Sequence, residues 1–335
     1  MIALLLTRAR YGAVIAIGLA VAALPLLTDD RYLIGKVLVF VALNLIIVSG
    51  LALVFGFAGQ ISLGHAAFYG LGAYTTGYLV TALDWPPLLG VTAAVLISGV
   101  GGLALALPSL RLKGHYLAMA TLGFNEIMSV LFVEMDTITG GNNGLSGIPY
   151  FSVAGVRFDT PALNYWLVWG VAAVVMALAY NIVRGRPGRA MRALHGSEIG
   201  ALASGVDTTR LKVQVFGLSA AFAGLAGALY AHSVGFVSPT TFSLETSVIL
   251  VAMVVIGGSG SLAGPLIAAV VLTLVPYADA LVPGLSADTV ALMQDWEADV
   301  YGILMIAVII LAPGGLGRVL FGRHKHRSAE AGEAA

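Results

Sequence analysis

The sequence predicts an all-α polytopic membrane protein with about ten transmembrane helices. Three observations carry that prediction. Of the 335 residues, 59% are apolar and 10% are charged, against roughly 25% charged in an ordinary soluble domain. The mean hydropathy of +0.95 belongs to a chain whose outer surface is apolar as well as its core. The apolar residues also fall in blocks, several of them near the length of about 20 that crosses roughly 30 Å of hydrocarbon. The alternating ten-residue segments of a β-barrel are missing. A soluble enzyme, a nucleic-acid binder and a disordered protein are excluded on the same grounds. Cysteine is absent, which removes disulfides, thiolate metal sites and cysteine nucleophiles.

In chain order the candidate spans are 11–28, 34–56, 64–83, 87–108, 115–134, 164–183, 213–234, 245–257, 262–282 and 299–315. The first reads as a span and not a signal peptide: Arg8 and Arg10 follow Leu4–Leu6, and no A-x-A site stands out. The eighth is too short to cross straight through. It reads as a broken helix that neighbouring protein or water must cover.

Charge tests the count. With the N-terminus cytoplasmic, ten spans put all but three of the 17 basic residues inside, the exceptions being Arg31, Lys36 and Arg157. Both termini are then cytoplasmic. Equal numbers of basic and acidic residues, 17 each, name no partner. Ten spans divide into five and five, and an odd number per half gives inverted halves. Gly56-Phe57-Ala58 and Gly235-Phe236-Val237 sit at corresponding places in the two halves, a weak echo of a 5+5 repeat. One transmembrane domain of residues 1–322 is expected, followed by a disordered cytoplasmic tail over 323–335.

Four features rise above hydropathy. Residues 56–68 interrupt two apolar runs with glycines and with Gln60, Ser62 and His65, which can satisfy unwound backbone near the membrane. A tight interhelical turn of small residues is the plainer reading of the same stretch. Residues 256–265 are glycine-rich, but no lysine follows and no Gly-x4-Gly-Lys-Ser/Thr occurs. They read as a bend between helices, with Pro265 opening the ninth span. Within the basic loop 184–212, Met191, Leu194, Glu198, Ala201, Leu202 and Gly205 share a face at helical spacing. That face suits a groove on a partner protein or, equally on composition, a surface of anionic lipid. Last, Asn125 and Glu126 lie about eleven residues, or about 16 Å, into the fifth span. An ionisable group at that depth is a functional candidate or a neutral carboxyl that fixes packing. Asn44 and Glu245 have the same two readings. Thr139–Gly147 is expected to be a flexible Gly/Asn loop on the outer side.

These segments resemble the M-type permease subunits of branched-chain amino acid ABC importers, the LivM family. The match is carried by GFAGQISLGHAAFYGLGAY at 56–74, TGGNNGLSG at 139–147 and GRAMRALHGSEIGALASGV at 188–206. AGLAGALYAHSVGFVSP at 223–239, MVVIGGSGSLAGP at 253–265 and APGGLGR at 312–318 complete it. One departure is Glu198-Ile199-Gly200-Ala201, where members usually carry a Glu-x-Ala-Ala-like stretch. Its glycine loosens a helix by about 1 kcal/mol relative to alanine.

The resemblance implies a type II ABC importer-like permease working by alternating access in the bacterial inner membrane. It implies an H-type permease as second subunit, two cytoplasmic ATPases and a periplasmic substrate-binding protein. Residues 188–206 would be the coupling segment on an ATPase, and Asn44, Gln60, Ser62, His65, Asn125 and Glu126 are candidates for the translocation pathway. No cofactor is expected in this chain, ATP and magnesium residing on the partners. The implied substrates are leucine, isoleucine and valine, or a related small solute. An ion-coupled secondary transporter is the alternative, with Glu126 as its only deep carboxylate. An intramembrane enzyme is disfavoured because the six histidines show no ligand spacing within a span and no His-Glu-x-x-His occurs.

Overall fold

The computed structural model describes residues 23–26, 30–109, 112, 114–258, 260–277, 302, 303 and 306. Among them, six segments are long and apolar enough to cross a membrane: Leu33–Phe57, Pro87–Pro108, His115–Glu134, Pro161–Arg184, Thr208–Val234 and Pro239–Gly257. Six of the expected ten spans correspond to these segments. The expected first and tenth spans fall almost wholly outside the described residues. The third is a helix too rich in Gly, Tyr and Thr to count as apolar, and the ninth is short.

Helix α1 (Leu33–Phe57) is α-helical over Leu38–Leu51 and π-helical at both ends, Leu33–Val37 and Ala52–Phe57. Its run LVFVALNLIIVSGL is apolar on every side, and it is buried on nearly every side. The Asp30 carboxylate accepts from the Tyr32 and Leu33 amides just ahead of it, at 2.9 and 3.2 Å. Trp169 donates its indole N–H to the Leu38 carbonyl at 3.1 Å. Helix α2 (His65–Ala82) follows, then α3 (Pro87–Ser109), α4 (His115–Glu134) and α5 (Pro161–Arg184). Pro161 opens α5 where its missing N–H is harmless, and the Thr160 side chain caps Leu163 N. Two short helices, α6 (Arg186–Gly196) and α7 (Glu198–Ala203), occupy the basic loop. Helix α8 (Thr208–Val234) starts under an Asp207 cap, and α9 (Leu244–Gly257) and α10 (Ala263–Leu274) end the described bundle.

The expected eighth span, 245–257, is a continuous helix, and the irregular backbone lies just ahead of it. A 3₁₀ turn at Pro239–Phe242 precedes α9, separated from it by extended Ser243. The expected bend after it is also present, with Gly257 so close to Pro265 that a side chain there would strike the Pro265 backbone.

Helices α1, α2 and α8 form the centre, and α3, α4 and α5 lie outside with much of their surface exposed. Small residues repeat every three or four positions along α8: Gly217, Ala220, Gly224, Gly227 and Ala231. A methyl on Gly72 would land on the Gly224 carbonyl, one on Gly227 on the Tyr69 carbonyl, and one on Gly102 on the Ala220 side chain. Backbones of α2, α3 and α8 therefore touch directly, the close approach that lets helices associate in lipid by dispersion alone.

The expected flexible loop at 139–147 is instead structured. Gly140, Gly141, Gly144 and Gly147 all adopt positive φ, which lets the chain fold into a 3₁₀ turn at Gly141–Asn143 and strand β1 (Leu145–Ser146). After a small hairpin of β2 (Ser152–Val153) and β3 (Val156–Arg157), the chain continues into α5. Strand β1 pairs antiparallel with β4 (Phe236–Val237), just beyond α8, with Leu145 opposite Val237.

Candidate permeation and coupling elements

Between the end of α1 at Phe57 and the start of α2 at His65, residues 58–64 form an irregular segment that re-enters the bundle. Depth follows from its neighbours. Gly59 lies beside His195 of α6, whereas His65 reaches Ser219, eleven residues or about 16 Å along α8. Helix α2 thus begins well inside the bundle, where its first amides have no water to bond.

Side chains of other helices satisfy them. Ser247 Oγ of α9 accepts from Ala66 N at 3.0 Å, and Asn125 Oδ1 of α4 accepts from Ala67 N at 3.0 Å. Ser247 Oγ in turn donates to Asn125 Oδ1 at 3.2 Å. Thr121 Oγ1 accepts from Leu63 N at 2.9 Å, and Gln60 N donates to the Val54 carbonyl at 2.9 Å. The buried His65 ring joins two hydroxyls, Ser62 Oγ at 3.0 Å through Nδ1 and Ser219 Oγ at 2.7 Å through Nε2. Ser62, His65 and Asn125 are therefore brought together in one network. Gln60 is buried close by, but its Oε1 has no partner, and neither does Asn125 Nδ2. Lone serines and a threonine inside apolar runs were the only sequence signal for Ser219, Ser247 and Thr121, and helical spacing gave no hint of what they cap.

Glu126 departs from the buried reading. It is exposed on the outer face of α4, among exposed Met119, Ile127 and Val130. Asn44 lies apart from the network, donating through Nδ2 to Thr273 Oγ1 of α10 at 2.9 Å. Glu245 is exposed in the first turn of α9, where a carboxylate suits the helix dipole. Among the described residues no group of three or more His, Asp or Glu could hold a metal ion.

A second buried histidine ties the outer end together. His232 Nδ1 meets the Pro149 carbonyl at 2.7 Å and Nε2 meets Thr76 Oγ1 at 3.2 Å. A carbonyl only accepts, so Nδ1 carries the proton and Nε2 accepts from the threonine. The Phe151 ring meets the His232 ring edge to face at 5.7 Å, and elsewhere Tyr69, Tyr230 and Phe242 stack edge to face with centroids 5.0–6.0 Å apart.

The basic segment corrects the expected single face. Ser197, extended at φ −160°, separates α6 from α7 and caps Gly200 N at 3.1 Å. Met191, Leu194 and Ala201 turn inward and are buried in this chain's own core, and Glu198 pairs with Lys212 of α8. Of the six residues, Leu202 and Gly205 remain outside, with Leu202 54% exposed. The most exposed large apolar side chain of the segment is Ile199, at 80%, which the helical spacing did not select.

The chain is 34% identical over 291 residues to the high-affinity branched-chain amino acid transport system permease protein LivM of Salmonella typhimurium, covering 80% of this chain. It is 34% identical over 290 residues to LivM of Escherichia coli, again covering 80% of this chain. In both cases it spans 66% of the relative's length, a little under two thirds. The permease protein LivH of Escherichia coli is 26% identical over 291 residues, covering 82% of this chain and 91% of its own length. No solved structure matches. These relatives are permease proteins of transport systems and not enzymes. Residues 33–311 match the family described as branched-chain amino acid transport system / permease component, and this multi-pass membrane protein belongs to it.

Proposed function

We propose that this chain is one of two permease subunits of an ATP-driven importer for branched-chain amino acids or a related aliphatic solute, working by alternating access. The family match across residues 33–311 carries the reading. In it, an H-type permease completes the channel, two cytoplasmic ATPases drive it with their own ATP and magnesium, and a periplasmic binding protein delivers the solute. The chain sits in the inner membrane with ten spans in two inverted halves and both termini cytoplasmic.

Three features support the mechanism. Ile199 and Leu202 give α7 an exposed apolar tip for an ATPase groove. The Glu198–Lys212 pair and the buried Met191 and Leu194 fix that tip rigidly to α8 and the core. His195 of α6 abuts Gly59, so displacement of the tip reaches the re-entrant segment and, through His65, Ser219 of α8. Glu126, a carboxylate on an otherwise apolar outer face, is placed to meet the second permease or the water between the two subunits. The ion-coupled alternative gains nothing from the interior, since no aspartate or glutamate is buried among the described residues.

The test is uptake by the reconstituted complex, with binding protein and ATP, against a panel of amino acids, amides and small aromatic acids. Saturable, ATP-dependent uptake of leucine, isoleucine or valine is expected. Ion-gradient-driven uptake by this chain alone would replace the ABC reading with secondary transport.

A further inference from the structure

A cavity of about 190 Å³ lies between α1, α2, α9 and α10. It is separate from the re-entrant network. Lys36 of α1 approaches the Tyr277 ring at 5.9 Å, so the start of α1 and the segment after α10 lie at the same end of the bundle as the cavity. By the charge distribution of the loops, that end is the extracytoplasmic one.

Its lining is divided in two. Phe40, Ile249, Leu250 and Met253 form an apolar wall. Asn44, Thr241, Thr246 and Thr273 supply polar groups, with Tyr69 and Tyr277 completing the rim. Internal hydrogen bonds leave specific capacity facing the space. Asn44 Nδ2 spends one of its two hydrogens on Thr273 Oγ1, and Thr273, having accepted there, keeps its own hydroxyl hydrogen to donate. Thr246 Oγ1 donates to the Thr241 carbonyl and keeps lone pairs. No charged side chain contributes to the described lining, so an ion is not the natural guest. A cavity of about 150 Å³ holds a benzene-sized guest, so this one admits a body of a few aliphatic carbons with a polar head.

We propose that this cavity is an intramembrane binding site, within the single permease chain, for the aliphatic solute in transit. The hydrocarbon side chain of the solute lies on Ile249, Leu250 and Met253. The Asn44 amide and Thr273 hydroxyl donate to its carboxylate, and the rings of Phe40 and Tyr69 receive its ammonium group. A bare acyl chain would leave the remaining hydrogens of Asn44 Nδ2 and Thr273 Oγ1 unmatched in hydrocarbon. This inference rests on the function proposed above and adds a place where side-chain size is read after delivery by the binding protein.

The absence of cysteine makes the test direct, because Thr246→Cys introduces the only thiol of the chain. In the complete complex turning over ATP, leucine is expected to slow labelling of Thr246→Cys by a water-soluble thiol reagent, and glycine is expected to slow it less. Ile249→Cys provides the same readout if the first variant fails to assemble. Met253→Trp, which fills the apolar wall, is expected to lower leucine uptake about tenfold or more relative to alanine uptake. A complex that transports leucine while labelling of both cysteines is indifferent to it overturns the cavity assignment and leaves the proposed function standing. Slowing by added phospholipid and not by leucine overturns it in favour of a lipid pocket. A parental complex that imports no aliphatic amino acid overturns the functional reading, and this inference with it.

Discussion

Asn125 holds the start of α2 through a single oxygen, which accepts from both the Ala67 amide and the Ser247 hydroxyl. Asn125→Leu leaves those donors buried and unpaired, at about 1–3 kcal/mol each. A clear fall in the thermal midpoint of the detergent-solubilised complex is expected, and an unchanged midpoint would show that α2 does not depend on the bond. Glu126→Gln is expected to leave the midpoint unmoved, because that side chain lies on the outer surface. The neighbouring pair shows where sequence reading stops. Successive residues on a helix point about 100° apart, so Asn125 and Glu126 share a depth but not an environment. Depth is legible from counting, whereas direction depends on which side of α4 meets α2. Gly59 is a second test at this scale. Its φ is +68°, and a β-carbon there would lie 2.8 Å from His195 Nδ1. Gly59→Ala should cost about 1–2 kcal/mol in backbone conformation alone and lower transport with the subunits still associated. Full transport by this variant would remove the contact from the coupling route.

At the level of elements, the glycines of α2 and α8 set how closely helices approach. Gly72→Ala places a methyl on the Gly224 carbonyl and is expected to destabilise the bundle by about 1–3 kcal/mol, read as reduced yield of folded complex. Gly101→Ala meets only the Leu71 and Phe68 side chains at 3.5 and 3.6 Å, an ordinary contact, and should be tolerated. Equal yields of the two variants would contradict the packing described here. The basic segment over 188–206 differs from its sequence pattern for a related reason. A shared face over 188–206 presumes one continuous helix, but extended Ser197 divides it and resets the direction of everything after it. Ala201→Trp would therefore disturb this chain's own core and say little about an ATPase. Ile199→Ser with Leu202→Ser changes only the exposed tip. That double variant is expected to insert normally and lose ATPase in co-purification, and retained ATPase would move the docking surface elsewhere.

For the molecule as a whole, hydropathy located the helices well where they face lipid or are apolar all round, as in α1, α3 and α5. It also placed α2 to within a residue at each end, although that helix is shielded by protein and carries Gly, Thr and Tyr in place of aliphatic residues. Assembly with a second permease predicts that Glu126→Lys lowers the yield of heterodimer, since a lysine near midspan costs about 2.5–3.5 kcal/mol on insertion scales. Normal heterodimer and normal uptake would place Glu126 against water.

The inward start of α2 bears on how the chain is made. The group that accepts from Ala66 N lies 181 residues later, on Ser247, and the hydroxyl that meets His65 lies 154 residues later, on Ser219. When α2 leaves the ribosome, neither exists. The buried polar contacts of α2 can therefore close only after α8 and α9 have been made, so its final seating is expected to lag behind its synthesis. Nascent chains halted before Ser219 should leave the 58–82 region open to protease in membranes, and chains that extend past α9 should close it.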